Sequence, residues 1–171
     1  MAWLRRMTNE FVLSMQRFEW FPITSKLTIV AVLFCSSVTA SEAGFRAYIT
    51  NGGTGNGNTV SVIDTTTGTV IATVTVGKNP TGVAVSPDGT KVYVGNVYDS
   101  GGGHWISVID AVNNVEVGSF DTGPNPYGLA VTPDGKKLYV ASGTADDLAV
   151  VDLTSNLVTH VSLPGGSGVG G

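Results

Sequence analysis

The side chains that could perform acid–base or metal chemistry are few and lie far apart in this sequence. His104 and His160 are its two histidines, and Cys35 is its single cysteine. A protein zinc site usually needs three or four His, Cys or carboxylate ligands. A Ser-His-acid triad is defined by geometry, and the sequence does not support any such arrangement. We therefore predict no catalytic residues, no metal site and no cofactor.

Two glycine-rich runs are the next candidates, because such runs can bind phosphate or calcium. The runs 52–57 and 101–103 lack both the Lys-Ser/Thr pair and the helix that complete a phosphate-binding loop. The segment 51–58 also lacks the regular acidic spacing of a calcium loop. Neither run is therefore predicted to bind a phosphate group or a calcium ion.

Aspartates that recur along the chain have a structural explanation. The segments 64–68, 110–114 and 152–156 each begin with Asp and end with Gly or Asn. An Asp carboxylate can accept hydrogen bonds from the turn backbone that follows it, and Gly and Asn tolerate the left-handed conformation that closes such a turn. We predict that these three aspartates form turns rather than a catalytic site.

The elements that carry these turns belong to a repeat. The stretch 77–94 returns 46 residues later as 123–140, and a period of this size is typical of stacked repeats. Both copies contain Ser/Thr-Pro-Asp-Gly, at 86–89 and 132–135. Pro suits a φ of about −65° at its position and Gly suits a positive φ, so each tetrapeptide is predicted to close a tight hairpin.

Short Val- and Ile-rich segments indicate four antiparallel strands in each unit of 42 to 46 residues, which is the pattern of a β-propeller blade. Neighbouring apolar residues, as in Val62-Ile63 and Val108-Ile109, indicate sheets that are covered on both faces. We predict an all-β fold of about three four-stranded blades, which form a partial or truncated propeller. The predicted propeller region is 41–163, with blades at about 46–76, 82–121 and 128–163.

Several motifs recur together in register. Tyr-Ile-Thr-Asn at 48–51 is followed by Val-Ser-Val-Ile-Asp at 60–64, and Asn-Pro-x-Gly-Val/Leu-Ala-Val-Ser/Thr-Pro-Asp-Gly occurs twice. These motifs resemble the YVTN-type β-propeller repeats of exported bacterial and archaeal proteins. The resemblance covers about 45–163 and weakens in the third copy, where Ser142 replaces the Asn. It implies an exported propeller, and similar propellers include lactonase-like hydrolases and proteins associated with quinone-dependent alcohol oxidation.

The first 40 residues differ in character from the rest. Arginines and Lys26 precede the apolar run 27–35, and small residues follow as far as Ala40, which is the order of a secretory signal peptide with a long lead. The apolar run is shorter than the ~20 residues that a membrane-spanning helix needs. We expect export to the periplasm or cell surface and a mature chain without a membrane span. Residues 164–171 are predicted to be a Gly/Ser-rich tail or the truncated start of another blade.

The charge of the mature chain argues against nucleic acid as a partner. Loss of residues 1–40 removes four of nine basic and two of thirteen acidic residues, which leaves five against eleven, a net charge of −6. Phosphate backbones are bound by clustered basic side chains, whereas the remaining lysines are scattered. The expected partner is a protein or a small molecule.

In a propeller, the loops that enter the inner strands open on the same face as the loops between the second and third strands. Loops that vary on a repetitive scaffold usually carry function. We therefore predict a recognition surface on this face; the alternative is a glycine-rich surface loop at 98–105 whose Trp105 packs on a blade edge. The candidate binding residues are Asn79, Asn125, Tyr127, Tyr98, Asp99, His104 and Trp105.

These observations favour a non-enzymatic binding scaffold. One alternative is a fragment of an enzymatic or redox-associated propeller, and it rests on the family resemblance alone. Another is a degraded fragment without an independent role. A partial ring leaves blade faces bare, which monomers rarely tolerate, so self-association that completes the propeller is a further possibility.

Overall fold

A computed structural model describes residues 30–33, 45–53, 57–97, 105–123, 125–143 and 146–163. All of its regular elements are short strands, and no helix in these ranges is long and apolar enough to cross a membrane. The twelve strands are β1 (Val30–Leu33), β2 (Arg46–Asn51), β3 (Thr59–Asp64), β4 (Thr69–Thr75), β5 (Pro80–Val85), β6 (Lys91–Asn96), β7 (Trp105–Asp110), β8 (Val115–Asp121), β9 (Pro126–Val131), β10 (Lys137–Ser142), β11 (Asp147–Asp152) and β12 (Leu157–Ser162).

These strands form three antiparallel sheets, each with four strands in chain order. The first sheet contains β1 to β4, the second β5 to β8 and the third β9 to β12. Neighbouring sheets approach each other most closely at their inner strands, since β5 contacts β9 much more extensively than β4 contacts β8. The described chain is therefore an all-β partial propeller of four-stranded blades, as the sequence predicted.

Two apolar cores lie between the three sheets. Tyr48, Val60 and Val62 of the first sheet pack against Val92 and Ile109 of the second. The second core lies between the second and third sheets. It contains Tyr93 and Ile106 of the second sheet and Leu138, Val140, Ala149 and Val151 of the third. Because successive side chains of a strand point to opposite faces, the middle sheet buries both of its faces and needs apolar residues at consecutive positions.

The predicted turns have the expected backbone geometry. Gly89 and Gly135 have φ values of 72° and 70°, and the Gly89 N–H donates to the Ser86 carbonyl oxygen at 2.9 Å. At the second type of turn, the Asp64 carboxylate accepts from the amides of the second and third residues after it, and the turns after Asp110 and Asp152 repeat this pattern. These aspartates are turn formers in the structure.

The innermost strand of the first sheet lies outside the predicted propeller region 41–163. Residues 30–32, Val-Ala-Val, pair with residues 49–47, just as Val-Ala-Val at 83–85 pairs with 94–92. Strand β1 therefore occupies the innermost position of the first blade, in the register that β5 has in the second. The same segment lies in the expected secretory signal, which stays a prediction. The remainder of 1–40 and the tail 164–171 lie outside the described residues.

Candidate ligand-binding face

One end of the three sheets brings together the loops that enter the inner strands and the loops between each second and third strand. We call this end the loop face. The Asn79 N–H donates to the Gly57 carbonyl oxygen at 2.7 Å, and the Val97 N–H donates to the Asn79 carbonyl oxygen at 3.2 Å. In the third sheet, the Gly143 N–H donates to the Asn125 carbonyl oxygen at 2.9 Å. Backbone hydrogen bonds thus join the loops of the first and second sheets and, separately, the two loops of the third sheet.

The two asparagines predicted to bind a ligand have a clear backbone role. Asn79 and Asn125 have φ values of 50° and 52°, and each directly precedes a proline that begins an inner strand. Asn tolerates the left-handed conformation better than most residues. The structure therefore places both residues on the loop face as predicted and shows why Asn suits each position, while contact with a ligand stays a prediction.

Tyr127 is the largest exposed side chain that the inner strands contribute to this face. Its ring lies against Gly143, where even a Cβ atom on the glycine would overlap the ring carbons. The residue is 49% exposed. The Tyr127 ring therefore packs against Gly143 and is exposed to solvent elsewhere.

Thr81, at the same repeat position in the second sheet, has a different role. Its hydroxyl lies 3.2 Å from the Gly95 carbonyl oxygen of its own sheet and 3.1 Å from the Pro126 carbonyl oxygen of the third. The Thr50 hydroxyl donates to the Thr81 carbonyl oxygen at 2.9 Å, which links the first sheet to the second. This chain of inter-sheet hydrogen bonds was not predicted. The sequence feature that could have indicated it is the difference between Thr81 and Tyr127, which occupy the same position in two otherwise similar repeats.

The Asn that ends the second strand of the first and second sheets has a structural explanation as well. Asn51 donates through Nδ2 to the hydroxyls of Thr59 and Ser61, at 3.1 and 2.9 Å. In the second sheet, the buried Asn96 donates to the Ser107 hydroxyl at 2.9 Å. The Asn side chain thus fixes the neighbouring third strand within the blade.

The remaining predicted binding residues are only partly covered by the structure. Tyr98, Asp99 and His104 lie outside the described residues. Trp105 begins β7, where its backbone pairs with Asp121. The structure describes the backbone of Trp105 but not its side chain. Their part in a recognition surface therefore stays a prediction.

The other histidine, His160, lies beside the loop that enters β9, because a Cβ atom at Gly123 would be 3.6 Å from its Cε1. His160 lies on the outermost strand of the third sheet, and its Nδ1 is 2.8 Å from the Asp147 Oδ2. In the described ranges, no three His, Cys, Asp or Glu side chains come close enough together to hold a metal ion.

A cleft lies at the opposite end of the sheets, between the two Pro-Asp-Gly turns. This cleft of about 460 Å³ is lined by residues that include Ser86, Asp88, Tyr93 and Asp134. The Ser86 hydroxyl, followed by the backbone amide of Thr90, lowers the pKa of the Asp88 carboxyl, and burial raises the pKa of the Tyr93 phenol. The Asp88 carboxylate is hydrogen-bonded within its own turn, to the Ser86 hydroxyl and the Thr90 amide.

Comparison with known proteins supports the propeller fold. No protein-family model matches the sequence, and no curated protein matches it. The structure is similar to Kuenenia stuttgartiensis hydrazine synthase, with a TM-score of 0.62, 28% identity, and coverage of 70% of this chain and 33% of that one. It is also similar to the dihydro-heme d1 dehydrogenase NirN in complex with DHE, with a TM-score of 0.51, 26% identity, and coverage of 61% and 22%.

Both of these proteins contain a β-propeller, and the chain spans only about a third and about a fifth of their lengths. The similarity therefore establishes a propeller fold, whereas membership of the YVTN-type family, suggested by the sequence motifs, is not confirmed by a family match.

Proposed function

We propose that this chain is part of an exported β-propeller protein that binds a ligand at its loop face without transforming it. The observation that carries the proposal is the position of Tyr127. Its counterpart Thr81 is hydrogen-bonded between sheets, whereas the Tyr127 ring is half exposed and rests on Gly143. An aromatic side chain held in one position loses little conformational entropy when a ligand stacks on it.

The surroundings of Tyr127 suit such a role. The loop next to it is fixed by the hydrogen bond between Gly143 and the Asn125 carbonyl oxygen, so the ring and the adjacent backbone are pre-organised. Aromatic rings with neighbouring amide groups combine apolar contact with directional hydrogen bonding. We propose that Asn79 and Asn125 flank the bound ligand and that Tyr98, Asp99, His104 and Trp105 extend the surface.

A ligand-observed saturation-transfer NMR screen tests this proposal. The probes are a panel of oligosaccharides and a panel of small aromatic compounds, each added to the full chain and to two variants. Tyr127→Ala removes the ring, and Val112→Ala, an exposed turn residue at the other end of the second sheet, serves as the matched control. We expect probes whose saturation transfer is kept in Val112→Ala and lost in Tyr127→Ala. Binding that is unchanged in Tyr127→Ala would contradict the proposal.

A role in an enzymatic or redox-associated propeller is the second candidate. It is favoured by the two similar structures, which are named as a synthase and a dehydrogenase, the latter in complex with DHE. In that case the loop face would form part of a larger site for a tetrapyrrole or another planar group. Titration of the chain with haem, followed by absorption spectroscopy, tests the second candidate. Saturable binding that Tyr127→Ala abolishes would favour the second.

A further inference from the structure

The cleft between the two Pro-Asp-Gly turns contains a buried hydroxyl in its lining. Tyr93 packs in the core between the second and third sheets and is only 5% exposed, and it also lines this cleft of about 460 Å³. In the described part of the chain, no group forms a hydrogen bond with the Tyr93 hydroxyl. Buried polar groups nearly always have a hydrogen-bond partner. The Tyr93 hydroxyl is therefore available to a molecule that enters the cleft.

The Tyr93 hydroxyl lies within electrostatic range of the Asp88 carboxylate. Burial raises the pKa of the phenol, and the negative charge of Asp88 adds to this increase. The phenol therefore stays protonated and neutral beside an ionised carboxylate. A phenol oxygen can accept a hydrogen bond, and a carboxylate accepts a stronger one from a charged donor. Tyr93 and Asp88 thus offer two kinds of acceptor to the same cleft.

A second carboxylate, that of Asp134, lines the cleft from the neighbouring turn. The two turns lie close together, since a Cβ atom at Gly135 would be 3.7 Å from the Pro87 Cδ. The Thr132 hydroxyl and the Lys136 amide both donate to Oδ1 of Asp134, at 2.6 and 3.1 Å, and they lower the pKa of its carboxyl. A carboxylate can accept about four hydrogen bonds. Asp134 can therefore still accept hydrogen bonds from a ligand.

The charge and the apolar parts of the lining favour an organic cation. Asp88 and Asp134 are both ionised at neutral pH, because hydrogen bonds lower the pKa of each carboxyl. The lining includes one basic side chain, Lys91, whose Nζ lies 3.7 Å from Oδ2 of Asp110, a residue outside the lining. Carboxylates beside apolar surface suit a cationic group on an alkyl chain. The apolar residues of the lining are Pro87, Pro133 and Leu153.

We propose that this cleft binds the cationic end of an alkylammonium or alkylguanidinium ion. The N–H groups of the cation donate to the Asp88 and Asp134 carboxylates and to the Tyr93 phenol oxygen. Such charge-assisted hydrogen bonds are stronger than neutral ones. The alkyl chain lies along Leu153 and the two prolines. The cleft is at the opposite end of the sheets from the loop face, so this inference is independent of the ligand proposed there.

NMR titration of the isotope-labelled full chain tests the inference. The probes are n-butylammonium, n-butylguanidinium and the neutral n-butanol. The Thr90 and Lys136 amides donate to the two carboxylates, so their signals report binding in the cleft. We expect saturable shifts of these signals with at least one of the two cations and none with the alcohol. The absence of saturable shifts with both cations overturns the inference, as do equal shifts with n-butanol.

Two further probes distinguish the sources of such a cation. N-acetyl-lysine amide and N-acetyl-arginine amide carry the same cationic groups on a peptide unit. Tighter binding of these probes than of the alkyl cations supports the side chain of a protein segment as the ligand. Equal or weaker binding supports a free amine or guanidine.

Tyr93→Phe tests the role of the buried hydroxyl. The substitution keeps the ring and removes one hydrogen-bond acceptor, so it should weaken cation binding about three- to tenfold. Tyr139→Phe is the matched control, because Tyr139 has the same repeat position in the third sheet and lies outside the lining. Equal affinities of the two variants would overturn the inference.

Asp134→Asn tests the role of charge. The Asn side-chain oxygen can still accept the hydrogen bonds of the turn, whereas the negative charge is lost, so binding should weaken about tenfold or more. Asp64→Asn, in a turn of the first sheet, is the matched control. Circular dichroism checks that each variant keeps the β-sheet fold. An affinity that Asp134→Asn leaves unchanged would likewise overturn the inference.

Discussion

The Thr81 hydroxyl lies 3.1 Å from the carbonyl oxygen of Pro126, which belongs to the inner strand of the neighbouring sheet. It also lies 3.2 Å from the Gly95 carbonyl oxygen. Thr81 therefore connects two blades at the inner strands, where they lie closest together. Blade contacts elsewhere are mainly apolar, so this polar contact fixes how one inner strand is positioned along the next.

Replacing Thr81 by Val should destabilise the fold. The substitution keeps the side-chain shape and removes the hydroxyl, so the Gly95 and Pro126 carbonyl oxygens lose a hydrogen-bond donor. We expect a loss of about 1–2 kcal/mol in the free energy of unfolding. Urea unfolding monitored by circular dichroism measures this quantity, with Thr73→Val, at an exposed position of β4, as the control. Equal unfolding midpoints for the two variants would show that the inter-sheet hydrogen bond contributes nothing.

Gly82→Ala should be more harmful than the same change at an open position. A Cβ atom at Gly82 would overlap the Tyr127 carbonyl oxygen and crowd the Leu129 side chain, so the second and third sheets must move apart. Overpacking of this kind typically costs about 1–3 kcal/mol. Gly118→Ala has no such contact and should gain about 0.5–1 kcal/mol, because alanine loses less backbone entropy in a strand. Thermal melts of the two variants should therefore shift in opposite directions.

The blades were predictable because their determinants are local. An Asp at the start of a turn, such as Asp110, and a Gly after Pro-Asp, such as Gly89, impose a turn by contacts within a few residues. The role of Thr81 was not predictable, since its acceptor Pro126 lies on another sheet. Strand β1 was missed for a different reason. An apolar run after basic residues satisfies the pattern of a signal peptide, and its Val-Ala-Val match to 83–85 becomes evident only with the pairing register.

The candidate site was predictable in position but not in detail. Asn79, Asn125 and Tyr127 lie on the loop face as expected from the repeat. The sequence did not reveal that the asparagines have left-handed backbone conformations or that Tyr127 rests on Gly143. These features depend on contacts between loops that are far apart in the chain. The residue type at a repeat position therefore predicts the surface on which a side chain lies, but not the contacts that the side chain makes.

Acid should destabilise the third sheet through the turn at Asp152. The Thr154 hydroxyl, followed by the backbone amides of Ser155 and Thr154, donates to this carboxylate and lowers its pKa from 3.8 to about 2. Because the folded pKa is below the unfolded one, the unfolded chain binds more protons in this range. The stabilisation is therefore complete above about pH 4 and is lost as the pH falls through the folded pKa of about 2.

Thermal melts between pH 2 and pH 6 measure this effect. The melting temperature of the natural chain should fall as the pH drops from 4 to 2, and Asp152→Asn should reduce the slope because it removes the titrating group. Asp146→Asn is a control at another aspartate of the third sheet. Parallel curves for the natural chain and Asp152→Asn would contradict the prediction.

Removal of residues 1–40 should expose one edge of β2. In the structure, β1 pairs with β2 over residues 46–49, so a chain shortened to 41–171 leaves the β2 groups that bond to β1 without a strand partner. Amides at a sheet edge open with a lower free energy than those between two strands. We expect hydrogen exchange in residues 46–49 to become about tenfold faster or more in the shortened chain.

Mass spectrometry of deuterium uptake measures this exchange, and residues 92–96 of β6, which lies between β5 and β7, are the internal control. Equal protection of 46–49 in both chains would mean that β1 does not stabilise the first blade. Faster exchange would mean that β1 protects the inner edge of β2.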